Sequence, residues 1–424
     1  MKKALLLSVI ASTMIMAGGD IAPVEPVVEV EAPAPSGWTF TGQGVVYYQS
    51  ADELGAGVDA RSLTDQDSSS ANAGVSLKAE NKDIIGGLGA GVKLVGVGTL
   101  GLEEDVVSNV MQTADGTLNG GAITELYLTY GIGNTLIKVG RQELPKALSP
   151  LAFSESWNVF ANTFEAALVV NSDIPNTTLV GAWVRSANSH RDLGDFNEGA
   201  GIEVLGDDGA YMLTAAYADA FNVTGTAYYL PDVANSGEDL MALWVDAGFN
   251  VSDFNIGVQG GYYTSDAFVG HEDTYAVGAK FGAKFDPVTV GAALTWVNDG
   301  GIGITNLVNP YGLGEVNGVF GENALYTCSP LGSNALFNFV DATTVSLNGS
   351  MALPVGTLIA FADYSDIGDH AWVSNSKFYE GAIAYNVVLG DLDLTAGVVH
   401  QNIDPDTHDD MTNTLIRVVA RYNF

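Results

Sequence analysis

Basic residues are scarce in this chain: 16 lysines and arginines stand against 50 aspartates and glutamates, a formal net charge of −34. Nucleic acids and anionic membrane surfaces need a basic footprint, so neither fits as a partner. Cysteine is nearly absent. The single Cys328 excludes an intrachain disulfide framework and reads as a free thiol in a loop. Beyond the N-terminal segment, Gly, Asn or a charge interrupts every hydrophobic run before it reaches the roughly 20 residues of a spanning helix. The five histidines, His190, His271, His370, His400 and His408, fall mostly in expected loops or at strand ends. His400 and His408 near Asp404 and Ser374 come nearest to a hydrolytic cluster, but no GxSxG or HExxH motif organises them, and no enzyme is expected.

What is present points elsewhere. Lys2 and Lys3 precede an apolar run from Ala4 to Met16 and the small residues Ala17, Gly18 and Gly19, the layout of a secretory signal peptide over 1–19. Residues 20–36, rich in Pro, Val and Glu, have no periodicity with which to bury a face and read as a periplasmic linker. The chain carries 51 glycines, 17 tyrosines and 17 phenylalanines in 424 residues with only 16% charged, a composition at home in β-barrels.

From Trp38 on, segments of about ten residues alternate apolar with small or polar side chains. They are separated in turn by tight turns and by longer polar loops, the pattern of antiparallel barrel hairpins. Eighteen candidate strands run from 38–49 to 412–424, among them 135–142, 177–187, 222–230, 342–352, 376–389 and 391–402. The stretch 196–206 also looks strand-like. An even count is needed if both ends lie in the periplasm, so 188–208 is assigned to an outer loop, with sixteen strands as the alternative. The fold class is therefore all-β: a transmembrane antiparallel up-and-down β-barrel over 37–424, with an inward-folded loop 143–161 and a long outer loop 298–341.

Strand parity then sorts the charges. A Lys facing lipid near the bilayer midplane costs roughly 2–4 kcal/mol, so charged residues are expected to face the lumen. That places Glu125, Arg185, Asp246, Lys280, Lys284, Glu380, Asp393, Arg417 and Arg421 on the pore lining. The loop after "KVGRQE" carries Leu148, Phe153 and Trp157, too many apolar side chains to remain in water. Folded inward, it makes Lys138, Arg141, Glu143, Lys146, Glu155 and Glu165 the candidates for a pore constriction. At the C-terminus, Tyr422 and Phe424 with the apolar set before them resemble the assembly signal that outer-membrane barrels present to their insertion machinery.

Over about residues 122–184, "KVGRQEL" followed by "ESWNVFANTFEAALVVNSDIPNTTLVGAWV" resembles the major outer-membrane porins of Campylobacter-type bacteria and, more distantly, the substrate-selective outer-membrane porins of pseudomonads. The resemblance implies an eighteen-stranded barrel, often trimeric, in a Gram-negative outer membrane, with a constriction built partly by the third outer loop. Passive diffusion of ions and small hydrophilic solutes follows as the expected activity, with cation preference fitting the net charge. A channel selective for small carboxylates or amino acids is the alternative, and a surface adhesin-like barrel is a third reading. Expected partners are outer-membrane lipid and lipopolysaccharide, the barrel assembly machinery and two further copies in a homotrimer. No cofactor or metal is expected beyond weakly bound Ca2+ at outer acidic loops such as Asp404 to Asp410.

Overall fold

The computed structural model describes residues 5–6, 29–30, 37–54, 62–188, 190–194, 209–233, 236–267, 272–300, 302–306, 321–329, 331, 334, 337–369, 375–406 and 410–424. The expected signal peptide and linker, apart from a two-residue pairing of Leu5–Leu6 with Glu29–Val30, and the strand-like stretch 196–206 lie outside the described residues.

Eighteen antiparallel strands close into one barrel. They are β1 (Thr39–Leu54), β2 (Ser69–Ile85), β3 (Leu88–Gly98), β4 (Gly120–Ile132), β5 (Thr135–Gln142), β6 (Phe164–Asn171), β7 (Thr177–Ala187), β8 (Ala210–Ala218), β9 (Asn222–Leu230), β10 (Leu240–Val251), β11 (Phe254–Ser265), β12 (Thr274–Phe285), β13 (Val288–Val297), β14 (Ala342–Ala352), β15 (Thr357–Ile367), β16 (Ser376–Leu389), β17 (Leu392–Pro405) and β18 (Met411–Asn423). Each strand pairs with its sequence neighbours, and β18 closes on β1 with Arg421 opposite Val45 and Arg417 opposite Gln49. The count is eighteen rather than the alternative sixteen. Closure leaves no unpaired sheet edge.

Connections alternate in length. Two-residue turns such as Gly86–Gly87 and 390–391 stand at one end, and 99–119, 143–163 and 298–341 at the other. Gly87 and Gly390 sit in the left-handed region at φ of 89° and 64°, a backbone state that costs glycine nothing, and this is what lets turns this tight reverse the chain.

Alternation along each strand separates two surfaces. In β8, Tyr211 and Leu213 are exposed on one side while Met212, Thr214 and Ala216 are buried on the other; in β12, Tyr275, Val277 and Phe281 oppose Ala276 and Gly278. The outer surface is thus a band of exposed Leu, Val and Ile, among them Leu126, Leu128, Val258 and Leu347. Aromatic pairs rim it at both strand ends. Tyr211–Tyr229, Tyr262–Tyr275 and Tyr364–Tyr379 stand on the long-loop side, and Phe254–Phe281 and Tyr422–Phe424 on the short-turn side. An apolar belt with aromatic girdles is the surface that fits hydrocarbon between two interfaces.

The apolar core lies inside the barrel, because two loops fold into it. Leu144, Leu148 and Leu151 pack with inner-wall Met212, Tyr228, Leu240 and Trp244. Trp157, Val159 and Phe160 pack with Tyr47, Val95, Leu415 and Val419. The described part of 298–341, expected as an outer loop, also reaches the inner wall: Ile302 and Ile304 join the first cluster and Leu331 the second.

Candidate functional site: a charged lumen crossed by two loops

The loop joining β5 to β6 is held by hydrogen bonds from the wall. Thr214 Oγ1 donates to the Leu148 carbonyl at 2.8 Å, and the Tyr228 hydroxyl accepts the Leu151 N–H at 3.2 Å. On the opposite wall the Arg421 guanidinium donates to the carbonyls of Val159 at 2.8 Å and Asn158 at 2.6 Å. Arg417 holds the other loop, donating to the Leu331 carbonyl at 2.9 Å while its Nε reaches Gln49 Oε1 at 3.0 Å. The Arg417 guanidinium also lies 5.6 Å from the Trp157 ring and 5.7 Å from that of Tyr47. Both terminal-strand arginines face inward, but as loop clamps rather than as free lining.

A cluster of charge lies where β2 to β5 meet this loop. Lys78 Nζ is 2.8 Å from Glu125; Lys93 Nζ is 2.8 Å from Glu143 and 3.8 Å from Glu125. Glu125 is almost fully buried, and Lys138 Nζ sits 3.8 Å from the centre of the Tyr127 ring, whose hydroxyl donates to Glu80 at 2.8 Å. Burial alone favours the neutral acid at Glu143. Lys93, with Lys78 and Lys138 behind it, outweighs this and holds the carboxyl below its usual range.

Within the two loops, Glu155 is 1% exposed and accepts hydrogen bonds from Trp157 Nε1 at 2.6 Å and Asn306 Nδ2 at 2.8 Å. Asn306 also binds both the N–H and the carbonyl of Phe153, so this carboxylate sits at the seam where the loops join. Burial, reinforced by nearby Glu322, pushes the Glu155 carboxyl up to about 7. Lys146 reaches Glu322 at 3.4 Å across the same seam. Cys328, also in the seam, is a buried free thiol pushed up to about 12 by its burial.

The remaining expected residues separate. Asp246 faces inward to the Tyr326 hydroxyl, and Lys280 Nζ lies 4.2 Å from the Tyr326 ring centre. Glu380 is buried on the inner wall, Asp393 accepts from Asn386 at 2.6 Å near the short-turn end, and Lys284 is exposed beside the turn after β12.

Two assignments are corrected. Arg185 is exposed on the side of β7 that carries Trp183, at a bulge where the β6 register slips past it. Glu165 shares its side of β6 with the exposed Val169 and accepts the Ser186 hydroxyl at 3.0 Å. Both stand at the long-loop end, above the apolar belt, where an outward charge meets water and costs little. The midplane penalty does not apply there. Arg141, expected to face the pore, is buried at 8% exposure with its guanidinium on Thr163 Oγ1 and the Leu193 carbonyl. His400 stands on the outer face of β17 beside Thr414, while Ser374 and His408 lie outside the described residues.

Parity would have found two residues that sequence reading left out. Lys78 follows the exposed Leu77, and Lys93 precedes the exposed Leu94, so both must face inward. Tyr326, Ser329 and Asn334 carried no such signal, because they lie in a loop without periodicity.

No family model and no curated protein matches the chain. Its fold is similar to solved structures from Pseudomonas aeruginosa. OccK2 (OpdF) superposes with a TM-score of 0.68 at 14% identity, covering 91% of this chain and 97% of that one. OccK8 (OprE) gives 0.67 at 14%, covering 91% and 98%. The outer membrane protein OpdK, solved with vanillate, gives 0.64 at 13%, covering 91% and 99%. At such identities the likeness is one of fold: a closed eighteen-stranded barrel matched over nearly its whole length.

Proposed function

We propose that the chain is an outer-membrane porin of a Gram-negative bacterium, admitting ions and small hydrophilic solutes by passive diffusion through its lumen. The observation that carries this reading is the inversion of the barrel. Its apolar, aromatic-rimmed surface faces outward, while Lys78, Lys93, Glu125, Asp246, Glu380 and Arg417 face inward around two loops that narrow the interior. Such an arrangement keeps a path wet while the wall stays in lipid. The likeness to OpdK, an outer membrane protein, supports the same location. Resemblance to the Campylobacter-type porins, trimeric association and delivery by the barrel assembly machinery belong to this proposal as well.

The constriction lies between the Lys78–Glu125–Lys93–Glu143 cluster and the loop carrying Glu155. Opposed acids and bases across a narrow gap orient polar solutes and reject apolar ones. Cation preference rests on the net charge of −34, which enriches cations at the mouths. Lumenal lysines and arginines offset the lumenal acids, so the preference is weak. Liposomes holding the refolded barrel should swell in small sugars and amino acids, and fail to swell in a large dextran. Swelling no faster than empty liposomes would refute the porin reading.

One observation favours the alternative of selectivity for small carboxylates. Arg417 Nη2, Arg421 Nε and the Tyr47 hydroxyl are unpartnered on one patch of wall, and neither arginine has a carboxylate within 4 Å among the described residues. OpdK was solved with vanillate, itself a carboxylate. Block of conductance by millimolar vanillate or benzoate, lost in Arg417→Gln, would favour this reading over general diffusion.

A further inference from the structure

One outward cation at the long-loop rim differs from its counterpart across the barrel. β6 and β7 pair Glu165 with Ser186 and Ala166 with Val184, which leaves Arg185 as the extra residue of a bulge, exposed on the outer side of the wall. Bulges re-aim the side chains they carry. Lys377 on β16, exposed at the same rim, is the register partner of Asp366 on one side and Asp404 on the other, so its charge is met within the sheet. Arg185 has no carboxylate within 4 Å among the described residues. Glu165, across the bulge, accepts the Ser186 hydroxyl at 3.0 Å, and the residue beside Arg185 on the β8 side is Gly209, which has no side chain to lay over it.

Directly below Arg185 lies an aromatic row. Trp183, Tyr211 and Tyr229 are register partners on β7, β8 and β9, all exposed outward, and the two tyrosine rings stack at 6.3 Å. Arg185 stands two residues beyond Trp183, about 7 Å along a strand, so its guanidinium lies just outside the aromatic girdle, at the depth of lipid headgroups. The acid nearest the row, Asp239, accepts the Tyr229 hydroxyl at 2.7 Å at the end away from Arg185. Deeper in the belt the wall is furrowed. Ala227 and Gly225 on β9 lie between Leu213 on β8 and Leu243 and Val245 on β10, and a carbon added at Gly225 would meet nothing within 4 Å. From the rim inward the order is cation, amphipathic rings, apolar furrow.

We propose that this face is a docking site for a phosphorylated glycolipid of the lipid A type, with a phosphate on the Arg185 guanidinium and an acyl chain in the β9 furrow. It rests on the outer-membrane reading above, which puts the long-loop end in the outer leaflet. A guanidinium presents a planar fork of donors that matches phosphate oxygens. With a net charge of −34 the chain as a whole repels anionic lipid, so attachment is confined to a place where a cation has no acid in contact with it.

The experiment uses the full chain, refolded in zwitterionic detergent with folding checked by heat-dependent gel migration. Bisphosphorylated lipid A is added with chelator present, which removes bridging by divalent ions. Native mass spectrometry should show folded barrel retaining the lipid, with an affinity that falls about tenfold in Arg185→Gln and is unchanged in Lys377→Gln. Lipid A stripped of its phosphates should lose the same factor on the wild type and nothing further on Arg185→Gln. Ala227→Leu, which fills the furrow and leaves Arg185 in place, should weaken retention several-fold. Equal retention by the wild type and Arg185→Gln would overturn the proposal, as would an equal loss in Lys377→Gln. Retention of phosphatidylglycerol at the same affinity would overturn the assignment to lipid A. Self-association lost in Arg185→Gln with lipid A retention unchanged would give the face to a second copy of the chain instead. None of these readouts depends on conductance, so failure here leaves the porin reading intact.

Discussion

At the scale of single residues, charged side chains in this lumen divide into those that hold loops and those left to meet solutes. Arg421 belongs to the first group, since it binds the carbonyls of Asn158 and Val159. Charge-assisted hydrogen bonds contribute about 1.5–3 kcal/mol each, so Arg421→Ala should loosen the 143–163 loop. A larger and noisier single-channel conductance is expected for that variant, with a melting temperature lower by several degrees. Glu143 belongs to the second group, with its side chain 26% exposed beside Lys93, whereas Glu165 sits on the outer side at the rim. Glu143→Lys should move the reversal potential in a salt gradient toward anion preference, while Glu165→Lys should leave it within experimental error.

Glu155 ties charge to pH. Its folded value of about 7 lies above that of an unfolded glutamate, so the folded state binds the extra proton between roughly pH 4.5 and 7. Stability is therefore lost as pH rises through that window and is regained on acidification. Thermal melts at pH 5 and pH 8 should differ in this sense for the wild type, and the difference should shrink in Glu155→Gln. An unchanged pH dependence in the variant would assign the effect to other groups.

At the scale of elements, the strands were legible because one rule repeats in each: apolar outward, small or polar inward, with a turn every ten or so residues. The expected strands 135–142, 177–187, 222–230, 342–352 and 376–389 agree with the observed ones, while 38–49 and 391–402 continue to Leu54 and Pro405 above the belt, where no lipid enforces the pattern. The same reasoning carried too far gives Arg185 an inward side, since parity is ranked by a midplane cost that fades at the rim; Glu165 is drawn into the pore by its place where the inward-folded loop re-enters a strand. Loops were harder to read. Leu148, Phe153 and Trp157 were apolar enough to signal an inward fold, but Tyr326, Ser329 and Asn334 find their places only through Asp246, Glu380 and Asp363 on strands scattered through the sequence. Such pairings have no local trace. The outer belt gives a direct test at this scale: Val258, exposed in the middle of β11, changed to Lys should cost about 2–4 kcal/mol and reduce the folded fraction in bilayers, as read by heat-dependent gel migration.

For the whole molecule, closure depends on the last strand. Phe424 and Gly42 exchange backbone hydrogen bonds at 2.6 and 2.9 Å, and Tyr422 stacks on Phe424 at 6.2 Å, so the C-terminal aromatic residue completes both the β18–β1 seam and the short-turn girdle. Deleting Phe424 should lower the yield of folded barrel in the outer membrane without changing the conductance of the fraction that folds. The barrel as a whole presents oil outward and charge inward, with two loops packed across its interior. In the proposed porin, water and ions pass between these loops. Single-channel recording in planar bilayers tests this most directly: refolded, heat-modifiable barrel should give discrete, ohmic conductance steps at neutral pH, and a folded, inserted barrel that gives none would contradict the account.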